Sequence, residues 1–243
     1  MRTFLRDVIR HYTLLLTLVL IPSLLSSQST QATPATPLPE DNLSAADFTT
    51  ILKEAWTFLK DETDNYTKTV GKKTEFETTA EFEKRTVDAR QQYFAKITKF
   101  IKEKKFDQRV IGVILKADLE QYDADNQVYN IACRSTIEAP YNLPAVSTEI
   151  FANGYVGLAD TIKKGYRASS IHLKFNPYFR WQVARDIARS AKNDDASVFF
   201  KVRFKIDMGQ GEMKKGARFA VVPKQVMLIN QRTNTVYWEQ TLR

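Results

Sequence analysis

Between residues 44 and 105 apolar side chains recur every three to four positions; from residue 106 onward they alternate with polar ones. A helix buries one stripe at a period near 3.6, and a half-buried strand buries one face at a period of 2. This single change of period constrains the fold more than any other feature of the chain. Helices come first and strands follow, without the strand-helix alternation of a doubly wound parallel sheet. The expected class is α+β: N-terminal helices packed on a mainly antiparallel β-sheet interrupted by one helix.

The helical part, 44–105, carries its own start signals. Ser44 is placed as an N-cap with Asp47 three positions on, and Leu43 and Phe48 are spaced for a hydrophobic staple. Phe48, Ile51, Leu52, Ala55, Phe58 and Leu59 share one face, predicting a helix over 44–60 that the polar run 61–74 with Gly71 breaks. Thr78 and Glu81 have capping-box spacing ahead of Phe82, Ala89, Tyr93, Ile97 and Phe100, predicting a second helix to about Lys105. Its acidic start (Glu75, Glu77, Glu81, Glu83) and basic end (Lys99, Lys102, Lys104, Lys105) suit the helix dipole. The four glutamates also resemble carboxylates for acid-base work, but no second group completes a site.

In the β part, 106–243, the sequence predicts strands at Val110–Tyr122 and Val128–Ile137 around a polar turn that begins Asp123-Ala-Asp125-Asn126. A calcium loop there would need Gly at its sixth position and Glu at its twelfth; counted from Asp123, those positions hold Val128 and Arg134. Further strands are expected at Val146–Val156, Ile171–Phe175, Ser197–Ile206, Phe219–Val222, Val226–Ile229 and Val236–Trp238, with Pro223 at an edge or bulge. Asn176-Pro177 reads as the cap and first residue of a third helix over 177–192.

The N-terminus reads as an export signal over 1–32. Arg2, Arg6 and Arg10 precede a 13-residue apolar run, Thr13–Leu25, and small and polar residues follow it. The run contains Pro22 and falls short of the roughly 20 residues of a spanning helix. Cleavage is therefore expected, with an uncleaved signal anchor as the alternative. Residues 33–43, with Pro34, Pro37 and Pro39, read as a linker.

The run Phe76-Glu77-Thr78-Thr-Ala-Glu81-Phe82-Glu-Lys-Arg85, then Tyr122-Asp123-Ala-Asp125, then Ala184-Arg185-Asp-Ile-Ala188 gives the chain a likeness to known proteins. It resembles a family of uncharacterised exported bacterial proteins in which an FETxxEFxxR helix start precedes a YDAD hairpin and a C-terminal β region. The resemblance runs by element order over residues 73–240. It implies an extracytoplasmic α+β domain and carries over no catalytic residue.

Few residues offer chemistry. The lone Cys133 lies in a strand-like segment, and the part beyond the export signal has one histidine, His172, between Ile171 and Leu173. A zinc site draws on several Cys, His and carboxylate ligands, and a serine or cysteine nucleophile needs a base; no metal and no cofactor is expected. The glycines lack phosphate-cradling spacing. Charge is uneven: residues 33–159 carry 16 basic and 20 acidic side chains, whereas residues 160–243 carry 17 and 7. The C-terminal part could meet an anionic surface, or the two parts could attract each other within one fold. Tyr178, Arg185, Arg189 and Lys192 fall on one stripe of the expected third helix and are the candidate anion-binding residues.

The functional expectation is an exported, non-enzymatic protein that binds a partner or envelope component, with an anionic surface, a glycan or another envelope protein as candidates and nucleic acid not expected. The alternatives are a module for small anionic or lipidic ligands and an enzyme with a carboxylate site, such as a glycan hydrolase. N-terminal sequencing of the exported protein is expected to start between Ser27 and Thr36. Intact Met1 on protein recovered from the cytosol would contradict it.

Overall fold

The computed structural model describes residues 40–140, 146–163, 166–211 and 217–243, so the expected export signal and linker residues 33–39 lie outside the described residues. The described residues all belong to one compact unit, Ala32–Arg243. Among the described residues, helices α1 (Ala45–Val70) and α2 (Thr79–Lys104) come first, and eleven strands, one more α-helix and a 3-10 turn at Asp195–Ser197 follow. The class is α+β, as the change of period implies.

Both expected caps are present. The Ser44 hydroxyl accepts from the Asp47 N–H at 3.1 Å, the Thr78 hydroxyl accepts from the Glu81 N–H at 3.2 Å, and each carboxylate accepts from its cap N–H in return. Helix α1 runs ten residues beyond the expected end at 60. Its polar continuation is held as helix by contacts within α1 and to α2: Lys60 pairs with Asp64, Lys96 with Glu62, the Thr63 hydroxyl meets that of Tyr93 at 2.8 Å, and Tyr66 stacks on Tyr93. It ends at Gly71, whose φ of +47° would strain a residue with a Cβ.

Three antiparallel sheets complete the fold. The first orders β1 (Ile111–Lys116), β9 (Val198–Gln210), β10 (Ala217–Asn230) and β11 (Thr235–Thr241) side by side. The second joins β2 (Asp118–Asp123), β3 (Val128–Ala132) and β8 (Phe179–Gln182). The third runs in the order β4 (Thr136–Ala139), β7 (Tyr166–Phe175), β6 (Gly154–Lys163) and β5 (Glu149–Phe151). One core of Phe48, Leu52, Ile97, Ile131, Ile171 and Phe200, among others, links both long helices to all three sheets.

Four expectations are corrected. The apolar run Val110–Tyr122 is two strands, because the chain leaves the first sheet for the second at buried Ala117. Val128–Ile137 likewise divides into β3 and β4 across Cys133–Ser135. Val146–Val156 is a hairpin that turns at Ala152-Asn153. The third helix is α3 (Arg185–Asn193), capped by Ala184 with no side-chain hydrogen bond, rather than 177–192. Phe179 and Trp181 explain the last change: two buried rings at i and i+2 share one face of a strand, and Phe179–Gln182 pairs with Val128–Ile131. Pro223 does mark a bulge, at the register shift in β10 where the strand's other neighbour changes from Val146 to β11.

The end of the supposed linker is part of the fold. Leu43 donates to the Gly112 carbonyl at 2.9 Å and Gly112 to that of Glu40 at 3.1 Å, which covers the free edge of β1. Gly112 permits this approach, since a Cβ there would lie 2.5 Å from the Asp41 carboxylate. Asp41 is 4% exposed and accepts from Arg203 Nε at 2.8 Å, from an Arg203 terminal nitrogen at 2.7 Å, and from Lys201 Nζ at 3.1 Å. Burial opposes its charge, but the hydrogen bonds and positive charge of Arg203 and Lys201 outweigh it and hold the carboxyl below its ordinary range.

Asp41→Asn leaves Lys201, 6% exposed, without its counter-charge. Breaking a buried pair costs about 3–5 kcal/mol, so urea unfolding at neutral pH is expected to show a loss of that order. Because the folded-state pKa is depressed, Asp41 contributes fully above the unfolded value of roughly 3.9 and loses that contribution as pH falls through the folded value. The variant is expected to lack this part of the acid dependence.

Candidate functional site

The four residues expected to form one cationic stripe are divided between two elements. Tyr178, 38% exposed, immediately precedes β8 and is not on the helix. It lies within electrostatic reach of Arg134, in the link between β3 and β4. On α3, buried Ala188 and Ala191 set the inward face, so Arg185 and Arg189 stand exposed one turn apart. Neither has an ion pair or hydrogen bond among the described residues. Lys192, by contrast, donates to Asp195 at 3.1 Å and to the Leu119 carbonyl at 3.4 Å. The structure thus brings together Arg185 and Arg189 as free cations, while Lys192 fastens α3 to β2.

Beside Lys192 lies an open cleft of about 410 Å³ lined by Lys116, Asp118, Leu119, Glu120, Arg134, Asp195 and Ala196. Arg134 pairs with Asp118 at 3.2 Å and with Glu120, and Lys116 faces Asp195 at 3.5 Å. Cations and carboxylates alternate around it and neutralise each other.

The two isolated nucleophilic or basic residues have structural surroundings. Cys133 follows β3; its Sγ is 3.8 Å from the Ser135 carbonyl, and burial pushes its thiol up to about 12. His172 sits on the outer face of β7 opposite Thr136 and Gly157, with Tyr155 edge-on at 5.5 Å. Burial lowers its pKa, so the imidazole is neutral at neutral pH. Its Nδ1 is buried with no hydrogen-bond partner among the described residues. Asp123 accepts from the N–H groups of Asp125 and Asn126 at 3.0 Å each, which makes the segment the hairpin turn expected from its composition.

The glutamate cluster at the start of α2 also has a structural explanation. Glu81 is the capping-box partner, and Glu77 takes both its oxygens to Arg85 at 2.8 Å. Arg85 reaches on to the Val70 carbonyl at 2.7 Å and to that of Thr69, closing the C-terminal end of α1. Sequence reasoning missed this ion pair and the Asp41 cluster. The first had a local signal, Glu and Arg eight residues apart across a helix start; the second spans 160 residues and had none. Among the described residues no group of three or more His, Cys, Asp or Glu side chains is placed to hold a metal ion, and no helix is long and apolar enough to cross a membrane. Comparison with protein families, curated proteins and solved structures finds no match to the chain.

With a pKa of about 12, only about 1 in 10,000 of the Cys133 thiols is ionised at pH 8, against roughly a quarter for an ordinary cysteine. Reaction with a disulfide reagent such as DTNB at that pH is expected to be at least about 100-fold slower in the native protein than in guanidinium. Equal rates would show the native thiol to be as accessible and as ionised as an ordinary cysteine, and a faster native rate would show it to be activated.

Proposed function

We propose that the protein is exported and works by binding an envelope component through exposed side chains rather than by catalysis. The observation that carries this reading is the fate of its charged and reactive groups. Lys116, Arg134, Lys192, Lys201 and Arg203 are held by carboxylates. The Cys133 thiol is raised far above the range of a nucleophile. Arg185 and Arg189 remain exposed and free on a short helix in the basic part of the chain. Two guanidinium groups one helical turn apart suit phosphate or carboxylate, whose oxygens they can engage in pairs. The partner surface on this reading is anionic: acidic lipid headgroups or an acidic glycan.

The small-ligand and carboxylate-enzyme readings draw less support, because the cleft that would serve either one is lined by ion pairs. Each cation near an acidic lipid surface contributes about 1 kcal/mol, so Arg185→Glu with Arg189→Glu is expected to weaken low-salt retention on phosphatidylglycerol vesicles by at least about 30-fold. Retention on heparin should fall too, and salt should narrow the difference. Unchanged retention at low salt overturns the assignment to these arginines.

A further inference from the structure

Beyond Leu59 in α1 and before Ala89 in α2, no residue of the α1–α2 hairpin is buried. Residues 60–70 alone extend this arm by roughly 15 Å at 1.5 Å per residue. At its tip Phe76 is 92% exposed, the most exposed large apolar residue among those described. A lone exposed hydrophobe is ordinary on a protein surface. The loop that carries this one is not ordinary, because it is fixed from both sides without burying anything of its own.

On the α1 side, Arg85 donates to the carbonyls of Thr69, Val70 and Lys72. On the α2 side the same guanidinium holds Glu77, whose Oε2 also accepts from the Thr74 N–H at 3.2 Å. The Glu77 N–H returns to the Thr74 carbonyl at 3.3 Å, and Lys73 donates to the Thr79 hydroxyl at 3.1 Å. Arg85 also lies over the Phe82 ring, 5.2 Å from its centre. In the run Phe76-Glu77-Thr78-Thr-Ala-Glu81-Phe82-Glu-Lys-Arg85, the residues singled out from the sequence therefore all have a structural task, with one exception. Phe76 has none.

We propose that Phe76 is a docking anchor, presented by the hydrogen-bonded loop at the tip of the arm to an apolar, ring-sized pocket on a partner protein. The inference rests on the reading of the chain as a binding protein and names a second contact, separate from Arg185 and Arg189. A loop backbone already tied in place by hydrogen bonds loses less freedom when its aromatic residue docks, and buried aromatic anchors carry much of the energy of protein interfaces. Charge argues for a protein over a membrane. Residues 72–85 hold Lys72, Lys73, Lys84 and Arg85 against Glu75, Glu77, Glu81 and Glu83, so the tip is neutral and gains nothing from anionic lipid. One phenyl ring is also less apolar than the single acyl chain that gives only marginal membrane binding.

The test places photoreactive benzoylphenylalanine at position 76 and, as control, at position 87, where Val87 is exposed on the same arm. A discrete adduct in living cells from position 76 alone identifies the partner, which is then purified and titrated. Phe76→Ala is expected to weaken that binding at least tenfold while the melting transition stays in place, and Phe76→Tyr to retain most of it. No adduct from position 76, or equal affinity for Phe76→Ala, overturns the proposal. Brighter, blue-shifted emission at the substituted position of Phe76→Trp on adding phosphatidylcholine–phosphatidylglycerol vesicles, against the native protein as blank, would assign the tip to lipid. Self-association lost in Phe76→Ala would assign it to a second copy; either result overturns the proposal. Vesicle and heparin retention through Arg185 and Arg189 is read separately, so failure here and failure of the anionic-surface reading are distinguishable.

Discussion

The row of apolar side chains on one face of β9 is the constraint on which the rest of the structure depends. Phe200, Val202, Phe204 and Ile206 are all buried along it. Phe204 stacks on Phe48 of α1 at 5.0 Å, and Phe200 meets Phe175 of β7 at 5.1 Å and Phe179 of β8 at 5.5 Å. One strand thus supplies the contact surface for the helical layer and for both smaller sheets. Rings this size each remove a large apolar area from water, roughly 1.5–3 kcal/mol apiece. Shortening one would open a cavity shared by three elements. The pairing of β9 with β10 from Val198 to Gln210 holds the row straight enough for all of them to dock.

The opposite face of β9 is organised by charge. Lys201 and Arg203 project there and meet Asp41, which arrives from the other end of the chain. Two cations of the basic C-terminal part therefore meet one acid of the N-terminal part, whereas Lys116 with Asp195 is the reverse pairing, a cation of the N-terminal part with an acid of the C-terminal part. Part of the charge asymmetry is thus attraction within one fold. What remains for an external partner is the set of cations left unpaired among the described residues, Arg185 and Arg189 among them. The hairpin arm differs from both faces of β9, because its tip is held by hydrogen bonds and ion pairs at the surface and buries no core.

Local signals were legible wherever local interactions decide. Ser44 with Asp47 and Thr78 with Glu81 satisfy free N–H groups within a single turn, so their spacing alone located both helix starts. The Asp123 turn and the Pro223 bulge were readable for the same reason. The sequence also showed that Cys133 is the one cysteine and His172 the one histidine after residue 32. It misplaced the end of α1, where contacts with α2 sustain a helix that composition alone would stop.

Partners distant in sequence were settled by tertiary structure alone. A β-branched run such as Val110–Tyr122 states that it will be a strand, but its pleat is the same whichever sheet it joins; the break at Ala117 exists because two different neighbours were available. The stripe joining Tyr178 to Lys192 dissolved because Phe179 and Trp181 are buried most fully as alternating strand residues beside β3. Asp41 read as linker because its partners lie 160 and 162 residues away. The sequence by itself determined the order of periods, the caps, the turns and the scarcity of reactive groups, all set by contacts within a few residues. Which cations stay free, which carboxylates they meet and which ring is left in water depend on long-range packing, where burial energy outweighs local preference.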